Sequence, residues 1–411
     1  MRREKFTIGI PKETKIPIDN RVIFSPDQAS ELMAEYPVLE IIVESSDVRC
    51  FSDELYMDRG VRVVDDLATE DCDIIIGIKE QALAHIIPNK HYVFFGHFAK
   101  EQEYNQPLAK QLLANKNTFT DHEYLVDSCN KRLCAFGRFA GIVGAYNAIR
   151  GYGIKDKRYA LPSPNSLGDV EKLVGAVKLV NNECLPNILF TGNGNVAKGC
   201  REFLLAIGYK ETTLENYTAE NKHEKKPLFL NLQLKDLVQR IDGKSFSRED
   251  FSNHPEGYES SLLPKLEGFP VLIPCHYWGE EDPVYLNRED LVKLSGKLKI
   301  VADVTCDISG GFKCTIRSST HADPFYDYNP FLAKEEDAFS SQSNITVMAV
   351  DTLPNAVPIT SSEYFGGKYM ELVIPGLMGE NQEAKEAFNR ATIIRDGHLT
   401  SRFSYLSSFV G

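Results

Sequence analysis

Short apolar runs recur along the chain, and segments of helical period separate them. The run 6–10 predicts a strand. Residues 25–36 predict a helix: Ser25 caps it, Pro26 suits its first turn, and Gln28 completes a capping box. Strands are expected again at 39–44, 72–78 and 91–96. A helix is expected over 101–115, where Pro107 predicts a kink or a restart. Residues 117–125 read as extended and partly polar. Small residues crowd the helix expected over 135–150, which predicts close packing against a neighbour. Another helix, 169–182, leads to the apolar run 187–190. Beyond this, 210–260 is polar and charge-rich and reads as an insertion, with a flexible part around 219–227. Buried strands return at 269–275 and 298–307. The run 344–354 is the last clear strand, and helices follow at 358–372 and 380–394.

This alternation predicts an α/β fold: two Rossmann-like domains with parallel sheets, separated by a cleft. Residues 136–345 read as a dinucleotide-binding domain inserted into a second domain made of 1–135 and 346–411. Two crossings between domains predict a hinge.

The stretch "NILFTGNGNVAKGCREF" carries the motif that points to a cofactor. An apolar strand runs into Gly192-x-Gly194-x-x-Ala197, and a helical pattern follows. Gly192 permits the tight turn, and Gly194 lets the backbone approach a pyrophosphate. Asn195 and Val196 open the helix, whose N–H groups face the phosphates. Ala197 allows close packing of helix and strand. An ordinary Gly-rich turn is the competing reading.

Composition narrows the partners. Apolar residues form 43% of the 411, ample for buried cores. A net charge of −12 argues against nucleic acid or an anionic membrane. The nine cysteines are odd in number and hold no CxxC pair. They read as reduced thiols of a cytoplasmic protein, with no disulfide framework and no metal site. No secretory signal is apparent, and no apolar run approaches membrane-spanning length.

In open parallel sheets, ligands sit beyond the carboxyl ends of strands. Lys79 follows the strand "DIIIGI" and His97 follows "YVFFG". Such a pair can share general acid–base duty on a carbonyl or imine. A solvated lysine and a packed histidine are the plain alternatives. Arg21, just before the Ser25 cap, is a candidate carboxylate binder, although an ion pair with Asp19 is locally favoured. Arg132 and Arg138 are further candidates. Asp303 and Asp307 close the strand "KIVADVTCD" on the expected nicotinamide side, with turn formation as the alternative role.

In combination, "NRVIFSP", "IIGIKE", "YVFFGHFAKEQEYN", "DHEYLVD", "RLCAFGRFAGIVGA", "LFTGNGNVAKG", "YWGEEDP", "CDISGG", "HADPFYDY" and "VDTLPNAVPITSSEYFG" resemble the alanine dehydrogenase/pyridine nucleotide transhydrogenase superfamily. The likeness is to its saccharopine-forming branch, and above all to the lysine–2-oxoglutarate reductase domain of α-aminoadipic semialdehyde synthases. It covers nearly all of 1–370. The resemblance implies reductive condensation of L-lysine with 2-oxoglutarate. It makes Lys79 and His97 the acid–base pair, and Arg21 and Arg132 binders of substrate carboxylates. Glu80 and Glu123 become groups that tune the pair or hold the amine. Asp303, Asp307 and the turn Asp351–Leu353–Pro354 line the nicotinamide.

The resemblance also implies NADPH. Glu215, in the expected ribose position, favours NADH instead, while Lys222, His223, Lys225 and Lys226 suit a 2′-phosphate. The chain ends soon after the reductase region, so no saccharopine-oxidising domain is expected. A homo-oligomer is compatible with the sequence. An alanine dehydrogenase-like or other opine-type dehydrogenase is the second reading, and a non-catalytic nucleotide or metabolite binder the third.

Overall fold

The computed structural model describes residues 5–220 and 227–411. The chain forms two compact units, Met1–Phe136 with Pro358–Gly411, and Gly137–Val357.

In the first unit, six strands lie parallel: β1 (Phe6–Ile10), β2 (Leu39–Glu44), β3 (Arg62–Val64), β4 (Ile74–Lys79), β5 (His91–Phe95) and β6 (Thr118–Asp121). Their spatial order is β3-β2-β1-β4-β5-β6. The sheet is covered on both faces, which is why its strands read as apolar runs rather than alternating ones. Ile74, Ile76 and Ile78 of β4 pack in one core with Ile8 and Ile10. Ile75 packs in the other with Tyr92 and Phe94. The helix Pro26–Glu35 starts as expected, with Ser25 and Gln28 forming the reciprocal capping box. Pro107 sits at the start of a helix, Gln106–Ala114, preceded by a short 3₁₀ turn. This is the restart that its missing N–H dictates.

The second unit contains β7 (Ile188–Thr191), β8 (Lys210–Thr212), β9 (Leu228–Leu232), β10 (Val238–Arg240), β11 (Tyr258–Ser260), β12 (Val271–Ile273), β13 (Ile300–Ala302), β14 (Tyr326–Asn329), β15 (Lys334–Glu336) and β16 (Ile345–Met348). Its main sheet runs β15-β14-β16-β13-β12-β7-β9-β8, parallel from β16 to β8 and antiparallel at β14 and β15. The sequence reading put the second crossing between units at 345/346; β16 lies in this sheet, and the chain leaves the unit after Val357.

Two expectations need correction. The stretch 210–260 is no simple insertion. It supplies β8 and β9 to the parallel sheet, and β10 and β11 to a separate antiparallel pair. The short run Leu228–Leu232 is hidden in sequence by charged neighbours, yet it pairs on both sides and is mostly buried. Nor is 344–354 the last strand. The expected helix 380–394 ends at Arg390, and β17 (Thr392–Arg395) with β18 (His398–Leu399) extends the first sheet antiparallel to β6. The β-branched run Thr392–Ile394 favours an extended chain there, and Ile393 and Ile394 are fully buried.

The small residues at 137–151 lie in a long helix, Gly137–Asp156, which crosses the helix Asn195–Ala206 at backbone distance. A Cβ on Gly199 would lie 1.9 Å from the carbonyl oxygen of Arg138, and one on Gly141 would lie 1.9 Å from that of Val196. Neither obstacle is a side chain that can change rotamer. Gly199→Val is therefore expected to destabilise the protein by about 1–3 kcal/mol or more. A melting temperature equal to the parent's, followed by circular dichroism, would refute this close crossing.

Candidate active site

In the first unit the strand order reverses between β1 and β4. From β1 the chain moves outward to β2, and from β4 it moves the other way to β5. The loops after these two strands part, and a crevice opens at their carboxyl ends. Lys79, the last residue of β4, stands there. The end of β4 is fastened by a residue that sequence reasoning missed. Glu13, three residues past β1, accepts the backbone N–H groups of Ile78 at 2.7 Å and Lys79 at 2.9 Å. Burial, with the charge of Asp19 adding to it, pushes the Glu13 carboxyl up to about 8.

His97 follows Gly96 with φ of 58°, in the left-handed region. Its Nε2 lies 3.5 Å from Lys79 Nζ. Its Nδ1 lies 3.8 Å from Glu123 Oε2. The other oxygen of Glu123 accepts from Lys100 Nζ at 2.7 Å and from Arg132 at 2.5 Å. The result is a row, Lys79–His97–Glu123–Arg132. Glu123 opposite Nδ1 favours the tautomer that carries its hydrogen on that atom and turns the Nε2 lone pair toward the lysine.

Burial lowers the Lys79 pKa, and the positive charges of Arg21 and Lys15 lower it further. Burial first, and then Lys79, brings His97 down to about 4. Burial raises Glu123, but the hydrogen bond from Lys100 and the charges of Arg132, Lys100 and His97 outweigh it and hold the carboxyl below its ordinary value. At neutral pH the row therefore has a neutral imidazole beside a lysine whose proton is easier to lose than usual.

Arg21 is buried and forms a two-pronged pair with Asp19, Nε to Oδ1 at 2.9 Å and Nη2 to Oδ2 at 2.5 Å. Its guanidinium also lies over the Phe136 ring, 4.2 Å from the centroid. The local pairing weighed in the sequence is thus present, but inside the protein rather than on its surface. Glu80 is buried against Lys15, with its second oxygen unpartnered. Arg132 is bound to Glu123, while Arg138 and Glu202, both within the second unit, pair with each other. Lys79, His97, Glu123 and Arg132 are thus drawn together, with Arg21 and Glu80 acting on the row through charge. Beneath them, Asp121 accepts from the N–H groups of Gly96 and Glu123, and burial lifts it to about 7.

The second unit repeats the reversal between β7 and β12. Gly192 has φ of +97°, and a Cβ there would meet the Cys275 carbonyl at 2.8 Å. Gly194 begins the helix Asn195–Ala206 without a side-chain cap, and a Cβ on it would meet nothing within 4 Å. The uncapped N–H groups and the open floor suit a pyrophosphate. Ala197 is buried against the strand. His276, also missed in the sequence, follows β12 and lies 2.6 Å from Thr191 Oγ1.

The other cofactor candidates differ in burial and in what they bind. Asp303 is fully buried and bound to Thr305 and Thr315, so it fastens the loop after β13. Asp307 is half-buried at the turn that Gly310 closes. Asp351 is exposed, whereas Leu353 and Pro354 are core residues. Glu215 stands on the helix after β8, and β8 is the edge strand, not the neighbour of β7. Lys222, His223, Lys225 and Lys226 lie outside the described residues. Among the described residues no cluster of metal ligands occurs, and no helix is long and apolar enough to cross a membrane.

Residues 9–143 match the alanine dehydrogenase/PNT N-terminal domain. The chain is 29% identical to the α-aminoadipic semialdehyde synthase of Arabidopsis thaliana over 97% of its own length and 41% of that protein. It spans less than half the length of the curated semialdehyde synthases it matches. It is 23% identical to the saccharopine dehydrogenase [NAD(+), L-lysine-forming] of Yarrowia lipolytica, covering 94% of this chain and 96% of that one. An L-alanine dehydrogenase structure superposes with a TM-score of 0.64 at 15% identity, over 99% of this chain and all of that one. The chain shares the fold of that L-alanine dehydrogenase, and the resemblance to semialdehyde synthases and lysine-forming saccharopine dehydrogenases is borne out.

The buried acids give a pH signature. Glu13 keeps its proton in the fold up to about 8, whereas an unfolded glutamate loses it near 4.5. Within that window the folded state holds more protons, so this group's contribution to stability falls as pH rises. Asp121 adds the same sign below about 7. Glu13→Gln is expected to flatten the loss of stability between about pH 5 and pH 8. Urea denaturation of both proteins at the two pH values tests it, and equal slopes would count against a protonated Glu13.

Proposed function

We propose that the chain is a nicotinamide-dependent oxidoreductase that condenses L-lysine with 2-oxoglutarate and reduces the resulting imine to saccharopine, with NADPH as reductant. The observation that carries this is the 3.5 Å approach of Lys79 Nζ to His97 Nε2 in a crevice at strand ends, with Glu123 behind the imidazole. The names of the semialdehyde synthase and saccharopine dehydrogenase relatives support the substrates.

Neutral His97 takes a proton from the incoming ε-ammonium, which frees the amine to attack the ketone carbon of 2-oxoglutarate. The Lys79 ammonium protonates the departing hydroxyl of the carbinolamine, so water leaves and the imine forms. When bound at the Gly192–Ala197 turn, the reduced nicotinamide supplies the hydride that the imine carbon accepts. Lys79 and His97 then share the proton that remains, and Glu123 steadies the imidazolium whenever it forms. Glu80 offsets the Lys15 charge beside Lys79. Arg21, held by Asp19 and Phe136, directs its remaining N–H donors to a substrate carboxylate, and Arg132 contributes a second while it balances Glu123.

The test is oxidation of NADPH in the presence of 2-oxoglutarate with lysine, then with ammonia, and of pyruvate with ammonia. Lysine-dependent oxidation is expected. Turnover of pyruvate and ammonia alone would move the chain to an alanine dehydrogenase-like activity. Lys79→Met is expected to lower kcat by about 10²–10⁴-fold while dinucleotide affinity stays within about twofold. Full activity in that variant would remove the acid–base assignment.

A further inference from the structure

Rossmann units read the adenosine ribose at the end of the strand that neighbours the glycine turn in space. Where strands follow one another in simple order, that neighbour is the next strand in sequence. Here it is not. After β7 the chain skips a place to form β8 at the sheet edge, then returns to lay β9 between them. Thr191 of β7 stands opposite Leu232 of β9, and the Gly192 N–H donates to the Leu232 carbonyl at 2.8 Å. The glycine turn is thus joined directly to the end of β9. The end of β8 lies two strand spacings away, roughly 9.5 Å, and its last residue, Thr212, is level only with Leu230. Glu215 lies beyond that, in the helix Leu214–Glu220.

Resting on the dinucleotide reading above, we propose that Gln233 and Lys235, just past β9, recognise the adenosine ribose, and that they take it as the 2′-phosphate ester of NADPH. A free 2′,3′-diol calls for a carboxylate that accepts from both hydroxyls. The acid at this strand end is Asp236, and it is turned away from that task. Its Oδ2 accepts the Gln233 N–H at 3.0 Å, and its own N–H donates to the Gln233 main-chain carbonyl at 2.7 Å. Gln233 is exposed, and its side-chain amide presents N–H donors. Lys235 is exposed on the following turn. Amide donors and an ammonium match a phosphate dianion, whereas an uncharged diol gains no ion pair from the ammonium. Glu215, which pointed to NADH in the sequence, has no part in this subsite.

Binding of NADPH and of NADH to the full chain, by titration calorimetry, tests the assignment independently of turnover. The parent is expected to bind NADPH more tightly than NADH. Lys235→Ala should weaken NADPH by about tenfold or more, the loss of one hydrogen-bonded charge, and leave NADH within about twofold. Gln233→Glu should weaken NADPH and spare or improve NADH, and Glu215→Ala should change neither. Both β9 sites are exposed, so these substitutions are compatible with folding. A parent that prefers NADH overturns the assignment. So does equal loss of both dinucleotides in Lys235→Ala, or a change confined to Glu215→Ala. If the parent binds neither dinucleotide, the dinucleotide reading fails and this assignment fails with it; binding that is indifferent to Gln233 and Lys235 removes only the assignment.

Discussion

The first unit depends on one carboxyl group that holds two amides. Where β1 and β4 part, the amides at the end of β4 have no strand partner on that side, and a buried amide without an acceptor is costly. Glu13 supplies the acceptor for both Ile78 and Lys79. This ties the loop after β1 to the end of β4 and sets where Lys79 stands. The separation of Lys79 from His97, the effect of Arg21 on the lysine, and the row that ends at Arg132 all follow from that anchor. The strand reversal that opens the crevice creates the need for Glu13.

Around the anchor, charge is arranged by pairing rather than by number. The protein is acidic overall, yet positive groups gather at this crevice: Lys15, Arg21, Lys79, Lys100 and Arg132. Each is set against a buried carboxylate or loses proton affinity through burial. Asp19 holds Arg21, Glu80 holds Lys15, and Glu123 holds Lys100 and Arg132. Lys79 has its pKa lowered, because water is largely excluded and its neighbours Arg21 and Lys15 are positive. An acid–base lysine needs such surroundings.

The second unit shows a different economy. Its two long helices meet at Gly141 and Gly199, so the helix that carries the glycine turn is held by backbone contact. The turn itself is held to β9 through Gly192 and crowded by Cys275, just past β12. Its position in the sheet is therefore fixed by three separate strands.

Much of this was written in local pattern. Runs such as Ile74–Ile78 report a strand buried on both faces, the Ser25–Gln28 box reports a helix start, and the spacing Gly192-x-Gly194-x-x-Ala197 reports a phosphate-binding turn, because each is set by neighbours within a few residues. Lys79 and His97 could be picked out because strand ends are visible in sequence. By the same rule the acid of "GIPKE" just past β1 was open to view, but nothing local tells that Glu13 turns back onto β4. The burial of Arg21 with Asp19, the pairing of Arg132 with Glu123, and the loop-fastening role of Asp303 depend on residues brought near by folding. So does the place of β9. A polar setting masked its apolar run, and only the sheet decides which strand lies beside the glycine turn. Sequence determines periodicity, caps and turns because they are short-range. The order of strands, and hence which charges meet at their ends, is decided by tertiary packing, where hydrogen-bond ladders and two buried faces must be satisfied together.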